Sequence, residues 1–205
     1  MIQCALNGSY TREDHPDVPV TVGEIVADAV ACQAAGAPSV HFHPRRPDDG
    51  RESLAAEVHD AVVAAVRAAA PDLELSCSTQ EDIDLGGAPD RVAAIRAWTH
   101  PPDLVSLNLT EDGVLELGAA LLDRGIGIEA GVFTLEGADA RLAAPWAERV
   151  QRVLVEVTYE HDDRAAVVDA GLAAGVDVRV GLEDTLYDRD GGPAPSNPGQ
   201  VAAVR

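Results

Sequence analysis

Seven times along this chain a short apolar run is followed by an alanine-rich stretch of helical character, and this alternation limits the fold more than any other feature. The runs are Ile2–Asn7, Ser39–His43, Leu73–Thr79, Leu104–Leu109, Gly127–Phe133, Arg152–Tyr159 and Val176–Glu183. Helices are expected over 22–35, 54–70, 89–98, 114–124, 136–147 (broken by Pro145) and 163–174, with a further start at Pro198. Thr21 is placed to cap the first helix, and Gly36 to end it. Pro71, Gly125 and Gly175 stop later ones. Strand–helix units in series call for a parallel sheet.

Side-chain parity separates the two ways of building such a sheet. Residues alternate faces along a strand. Val40 and Phe42 oppose His41 and His43. Leu75 and Cys77 oppose Ser76 and Ser78. Val105, Leu107 and Leu109 oppose Ser106 and Asn108. Ile128 and Ala130 oppose Glu129, and Val178, Val180 and Leu182 oppose Arg179 and Glu183. A parallel sheet covered by helices on both faces reads as continuous apolar runs. Here one face is apolar and the other carries polar groups toward the strand's C-terminal end. No GxGxxG or GxxxxGK[ST] follows any strand, so the nucleotide-binding open sheet has no support. The expectation is a (β/α)8 TIM-type barrel of one domain over 1–205, shortened to about seven units, with its chemistry at the C-terminal mouth. An ordinary barrel runs to about 250 residues.

Composition removes several functions. The chain has 205 residues, with 35 Asp+Glu against 15 basic residues, all arginine, for a formal charge of −20. Nucleic acid and anionic membrane surfaces are not expected partners, since both need clustered basic residues. No apolar run approaches the roughly 20 residues of a membrane span. MIQCALNG lacks the basic-then-apolar order of a signal peptide. Cys4, Cys32 and Cys77 are odd in number and far apart, which suggests reduced thiols and a cytoplasmic protein.

Two motifs carry chemistry. In HFHPRRPDDG (41–50), His41 and His43 share a strand face about 7 Å apart along the strand. Imidazoles so placed can bind one Zn²⁺ at roughly 2.0–2.1 Å each. The plainer alternative is a pair of strand-end hydrogen bonders. In RVGLEDT (179–185), Arg179 and Glu183 share the inward face and Asp184 turns at the strand end. If the last strand closes beside the first, Glu183 lies about 10 Å from the histidine strand and is available as a third ligand. A surface Glu-Asp pair is the alternative. Ser78, Ser106 and Asn108 can orient a carboxylate or carbonyl, or serve the backbone. Glu129 is an inward carboxylate, either a base or a partner for Arg179. Arg45 and Arg46 either hold an anion or are solvated. His15 and His161 follow strands and could reach the mouth, while His59 and His100 suggest no role.

These residues resemble the β-keto acid cleavage enzyme family, zinc-dependent (β/α)8 barrels. AAGAPSVHFHPR (34–45) resembles its specific histidine signature. HPDVPVTVGEI (15–25), SCST (76–79), SLNL (106–109) and RVGLED (179–184) resemble its other strand ends and its first helix start. The resemblance implies zinc held by His41, His43 and Glu183, substrate hydroxyls at Ser78 and Ser106, and a catalytic Arg179 beside the acid Asp184. It implies that a β-keto acid and acetyl-CoA become acetoacetate and a new acyl-CoA. Zinc polarises the keto group, Asp184 or Glu129 takes the proton that gives the enolate, and Arg179 holds the developing charge. The chain departs from the family in three ways, one being Gln80-Glu81 in place of the family's third-strand Gly-Gly. NGSYT (7–11) stands where the family's first strand can end in a glutamate. One βα unit is also missing between Tyr159 and Asp163. That shortening exposes strand edges and implies a homo-oligomer. Two other readings compete: a different metal-dependent barrel hydrolase or aldolase, and a non-catalytic paralogue that keeps the metal and binds a small acid.

Overall fold

The computed structural model describes residues 1–83, 87–155, 164–188 and 190–205. Its strands are β1 (Ile2–Ala5), β2 (Ser39–Phe42), β3 (Glu74–Ser78), β4 (Leu104–Asn108), β5 (Gly127–Val132), β6 (Arg152–Val155) and β7 (Val178–Val180). Helices α1 (Val22–Ala35), α2 (Ala56–Ala69), α3 (Ala88–Ala97), α4 (Val114–Asp123), α5 (Leu135–Ala143), α6 (Arg164–Ala174) and α7 (Asn197–Ala203) alternate with them. All strand pairs are parallel, in the order β6-β5-β4-β3-β2-β1-β7.

The sheet is curled into most of a barrel. The Gln3 amide on β1 donates to Glu129 on β5 at 3.0 Å. In a flat sheet those strands, four places apart, would lie about 19 Å from one another. Arg152 on β6 likewise reaches Glu74 on β3 at 2.6 Å. Among the described residues no strand joins β6 to β7, so the barrel has one gap. The expected strand end at 156–159 and the presumed deletion point at 159–163 lie outside the described residues.

Parity behaves as the sequence predicts. Cys4, Val40, Phe42, Leu75, Cys77 and Val180 point outward into a buried core with Ile25 and Cys32 of α1, Val62 and Val66 of α2, and Val201 of α7. Val105, Leu107, Ile128 and Ala130 form a second core with Ile95 of α3, Leu117 and Leu121 of α4, and Trp98 and Trp146. Thr21 and Glu24 form a reciprocal capping box at the start of α1, and Gly36 ends that helix at φ 112°. No described helix is long and apolar enough to cross a membrane.

One strand boundary corrects the sequence reading. The last run was expected to stay extended through Glu183, but β7 ends at Val180. Gly181 adopts φ 148°, and a side chain there would place its Cβ 2.0 Å from the Ala5 carbonyl oxygen. Only glycine permits so close an approach of the two backbones. The amides of Asp184 and Thr185 then close a turn on the Gly181 carbonyl.

Candidate metal centre and active site

β2 and the turn after β7 bring three ligating side chains to one point at the C-terminal mouth. The ligand atoms of His41, His43 and Glu183 lie within 4.8 Å of one another. Glu183 Oε1 is 3.6 Å from His41 Nε2 and 3.7 Å from His43 Nε2. These distances are too long for hydrogen bonds and leave room between the groups. Glu183 Oε2 is buried and has no hydrogen-bond partner. Oε1 faces the two imidazole nitrogens, and a buried carboxylate that leaves its other oxygen orphaned is costly unless a cation completes it. A two-histidine, one-carboxylate donor set suits a catalytic zinc with an open position. The residues present therefore fit a divalent metal.

The backbone holds these ligands firmly. The Asn7 side chain brackets His43, accepting from its amide at 2.9 Å and donating to its carbonyl at 3.2 Å. Gly8, at φ 50°, passes under Glu183; a Cβ there would lie 2.5 Å from Glu183 Cγ. The Glu183 amide donates to the Ala5 carbonyl at 3.2 Å.

On the other side of each ring stands a further acceptor. His41 Nδ1 lies 2.9 Å from Ser76 Oγ, which donates to Glu129 Oε2 at 2.9 Å. His43 Nδ1 pairs with the Glu52 carboxylate. Sequence reasoning overlooked Glu52. The signal was the DDG turn: Arg45 and Glu52 form an antiparallel bridge across it, as such a turn predicts, and the bridge sets Glu52 beside His43.

Charge follows burial and partners. Burial drives His41 down to about 4 despite the nearby Glu183. Burial would lower His43 as well, but Glu183 and Glu52 overrule it and hold that ring at about 9. Burial opposes ionisation of Glu183, yet Arg179 and the two histidines keep it well below the usual carboxylate range.

Arg179 closes the site from β7. Its Nε donates to both Asp184 oxygens at 3.0 and 3.2 Å, and its Nη2 reaches Glu183 at 2.5 Å and Asp184 at 2.8 Å. Asp184 thus faces the lumen side, because the turn after Val180 cancels the strand parity that would have turned it away. Ser78 and Ser106 sit opposite each other in register on β3 and β4.

Other residues singled out from the sequence make contacts within the fold. Arg45 is buried and donates to the carbonyls of Gly8, Tyr10 and Gly50, tying the loops after β1 and β2 together. The Asn108 amide is held by Glu111 at 2.6 Å. Glu129 is fully buried and takes hydrogen bonds from Arg152, Gln3 and Ser76. His15 joins the loop after β1 to Ala194 at 3.0 Å. His59 stacks on Trp98 with ring centroids 3.7 Å apart. His161 lies outside the described residues.

A curled parallel barrel with a two-histidine, one-glutamate cluster at its mouth, a donor set that could hold a metal ion, defines the class to which the fold belongs. The family model described as beta-keto acid cleavage enzyme matches residues 1–116 and 110–205, and the chain belongs to that family. It is 26% identical over 250 aligned positions to the 3-keto-5-aminohexanoate cleavage enzyme of Acetoanaerobium sticklandii, covering 96% of this chain and 87% of that protein. It is also 26% identical over 246 positions to the 3-oxoadipate:acetyl-CoA acetyltransferase of Cupriavidus necator, covering 100% of this chain and 86% of that protein. The solved ternary complex of ObcA with a C4-CoA adduct and oxalate superposes with a TM-score of 0.72 at 20% identity, covering 92% of this chain and 63% of that one. That likeness establishes the fold. This chain spans less than two thirds of the ObcA chain. An alignment of 250 positions against 205 residues leaves at least 45 positions that the relative fills and this chain does not. That is enough for one βα unit.

Proposed function

We propose that this protein is a zinc-dependent enzyme that cleaves a β-keto acid with acetyl-CoA, giving acetoacetate and a new acyl-CoA. The observation that carries the reading is the convergence of His41, His43 and Glu183, whose Oε2 is buried without a partner, beside the Arg179–Asp184 pair. The relatives' names, one a keto-acid cleavage enzyme and one an acetyl-CoA acetyltransferase, agree with it. His41, His43 and Glu183 hold the metal, which when bound supplies Lewis-acid polarisation of the substrate's carbonyl. Arg179 is a permanent cation with a fixed fork of donors, suited to holding a substrate carboxylate or a developing enolate. Asp184, oriented by that guanidinium, accepts the proton from the carbon acid. Glu129 is a poorer base than Asp184, since it is walled off beneath His41 with its oxygens already bonded. Ser78 and Ser106 offer hydroxyls to the acid's oxygens.

The exposed valines of β6 support an oligomer, and three buried free cysteines support a reducing, cytoplasmic setting. The open gap favours one second reading, a metal- and acid-binding protein without turnover. A panel of 3-oxo acids with acetyl-CoA, read by CoA-ester formation, separates the two. The enzyme reading predicts a new acyl-CoA that is lost in Asp184→Asn while metal content stays. Absence of any CoA ester from zinc-loaded wild type would leave the binding reading standing.

A further inference from the structure

Hydrogen-bond direction at the two histidines carries an inference about residues outside the ligand set. A carboxylate can only accept. Both oxygens of Glu129 are committed: Oε1 accepts from Arg152 at 2.8 Å and from Gln3 at 3.0 Å, and Oε2 accepts from Ser76 at 2.9 Å. The one hydroxyl proton of Ser76 therefore points to Glu129. Its lone pairs face His41 Nδ1 at 2.9 Å, so that nitrogen must carry the proton. Glu52 imposes the same choice on His43 directly, because its carboxylate accepts from His43 Nδ1. With Nδ1 protonated in each ring, the lone pairs available for a ligand are the two on Nε2, the atoms that face Glu183.

We infer that Glu52 and the Ser76–Glu129 pair are positioning residues that hold His43 and His41 in the Nδ1–H form, so that both rings present Nε2 to one metal ion. The two devices are built independently. Glu52 is delivered by the hairpin after β2, with Arg46 donating to the Arg51 carbonyl at 2.8 Å and Ser53 to the Pro44 carbonyl at 2.9 Å. Ser76 and Glu129 come from the strands β3 and β5, and Arg152 on β6 anchors the far end. His43 is thus locked locally by Glu52, and His41 is locked across the lumen by Ser76 and Glu129. A metal replaces any second proton on Nε2 and leaves the Nδ1 proton in place. The inference rests on the metal-binding part of the proposed function, and one arm of its test needs no metal.

That arm is a long-range ¹H–¹⁵N spectrum of the metal-free protein, taken near neutral pH for His41 and above the His43 titration for His43. The expected result is a proton on Nδ1 of both rings. The second arm is zinc affinity measured by competition with a chromophoric chelator. Glu52→Leu and Ser76→Ala should each weaken zinc by about 10–100-fold. Each should let only its own histidine populate the Nε2–H form. Glu52→Gln, whose amide oxygen still accepts, and Ser76→Thr, which keeps the hydroxyl, should stay close to wild type and so exclude misfolding as the cause. Wild-type rings protonated on Nε2, or Glu52→Leu and Ser76→Ala with unchanged affinity and unchanged spectra, would overturn the inference. Wild-type protein with Nδ1–H rings but no zinc binding would support the positioning roles and count against the metal reading alone.

Discussion

The curled sheet has two edges, and they are finished differently. At β7 the edge is stitched down. Gly181 lets the chain touch β1, the Glu183 amide bonds to Ala5, and Asn197 at the start of α7 takes the Leu182 amide at 2.7 Å while donating to the Leu6 carbonyl at 2.8 Å. At β6 the outward valines remain in solvent: Val153 is 44% and Val155 69% exposed. Yet the inward side of β6 is as well paired as any, through Arg152 to Glu129 and Glu74. The difference follows what each edge carries: the β7 edge leads into the turn that bears Glu183, while β6 bears none of the three clustered ligand residues.

Substitutions at four positions sharpen that comparison, in decreasing order of effect. Gly181→Ala forces a Cβ onto the Ala5 carbonyl and moves Glu183. It should cost roughly 4 kcal/mol or more in a urea unfolding experiment. Arg179→Ala should lower turnover by about 10²–10³, or about 3–4 kcal/mol of transition-state stabilisation, with Arg179→Lys no better because the fork is lost. Near-wild-type turnover in Arg179→Ala would remove the acyl-transfer mechanism.

Asp28 on α1 gives a pH test of the same stitched edge. Burial raises its carboxyl from 3.8 to about 6, although Asn197 donates to it. The folded protein therefore binds the proton more tightly than the unfolded chain. Stability from this group is present below the unfolded value and is lost as pH rises through about 6. The loss should be about 2–3 kcal/mol in unfolding measurements across that window, and Asp28→Asn should flatten it. Val155→Thr on β6 should change stability by less than about 0.5 kcal/mol, since the side chain is already in water. A loss as large as a core substitution would show that this edge is covered in solution.

Much of this was legible in the residues themselves. Strand parity placed Val40 and Phe42 outward and His41 and His43 inward, because a covering helix ring and a polar mouth demand opposite patterns. Thr21 and the ending glycines marked the helix bounds by local backbone chemistry, and the structure adds Glu24 to the Thr21 cap. What escaped was geometry that depends on distant neighbours. Glu183 reads as a strand residue until the Ala5 carbonyl is seen to require a turn at Gly181. Asp184 appears to have the wrong parity for the same reason. Arg45 looks like an anion binder, but three backbone carbonyls already hold its guanidinium. Glu52 lies nine positions from the histidine it orients, and only the hairpin brings them together. Glu129 reads as a base or a partner for Arg179, and the sequence gives no hint that Arg152, Gln3 and Ser76 donate to it.

The central claim is that His41, His43 and Glu183 form one metal site. Metal analysis of purified wild-type protein and of the His41→Ala/His43→Ala double variant, after equilibration with zinc and removal of loosely bound ions, tests it most directly. The account predicts one zinc per chain in wild type and none in the double variant. A full equivalent of zinc retained by the double variant would contradict it.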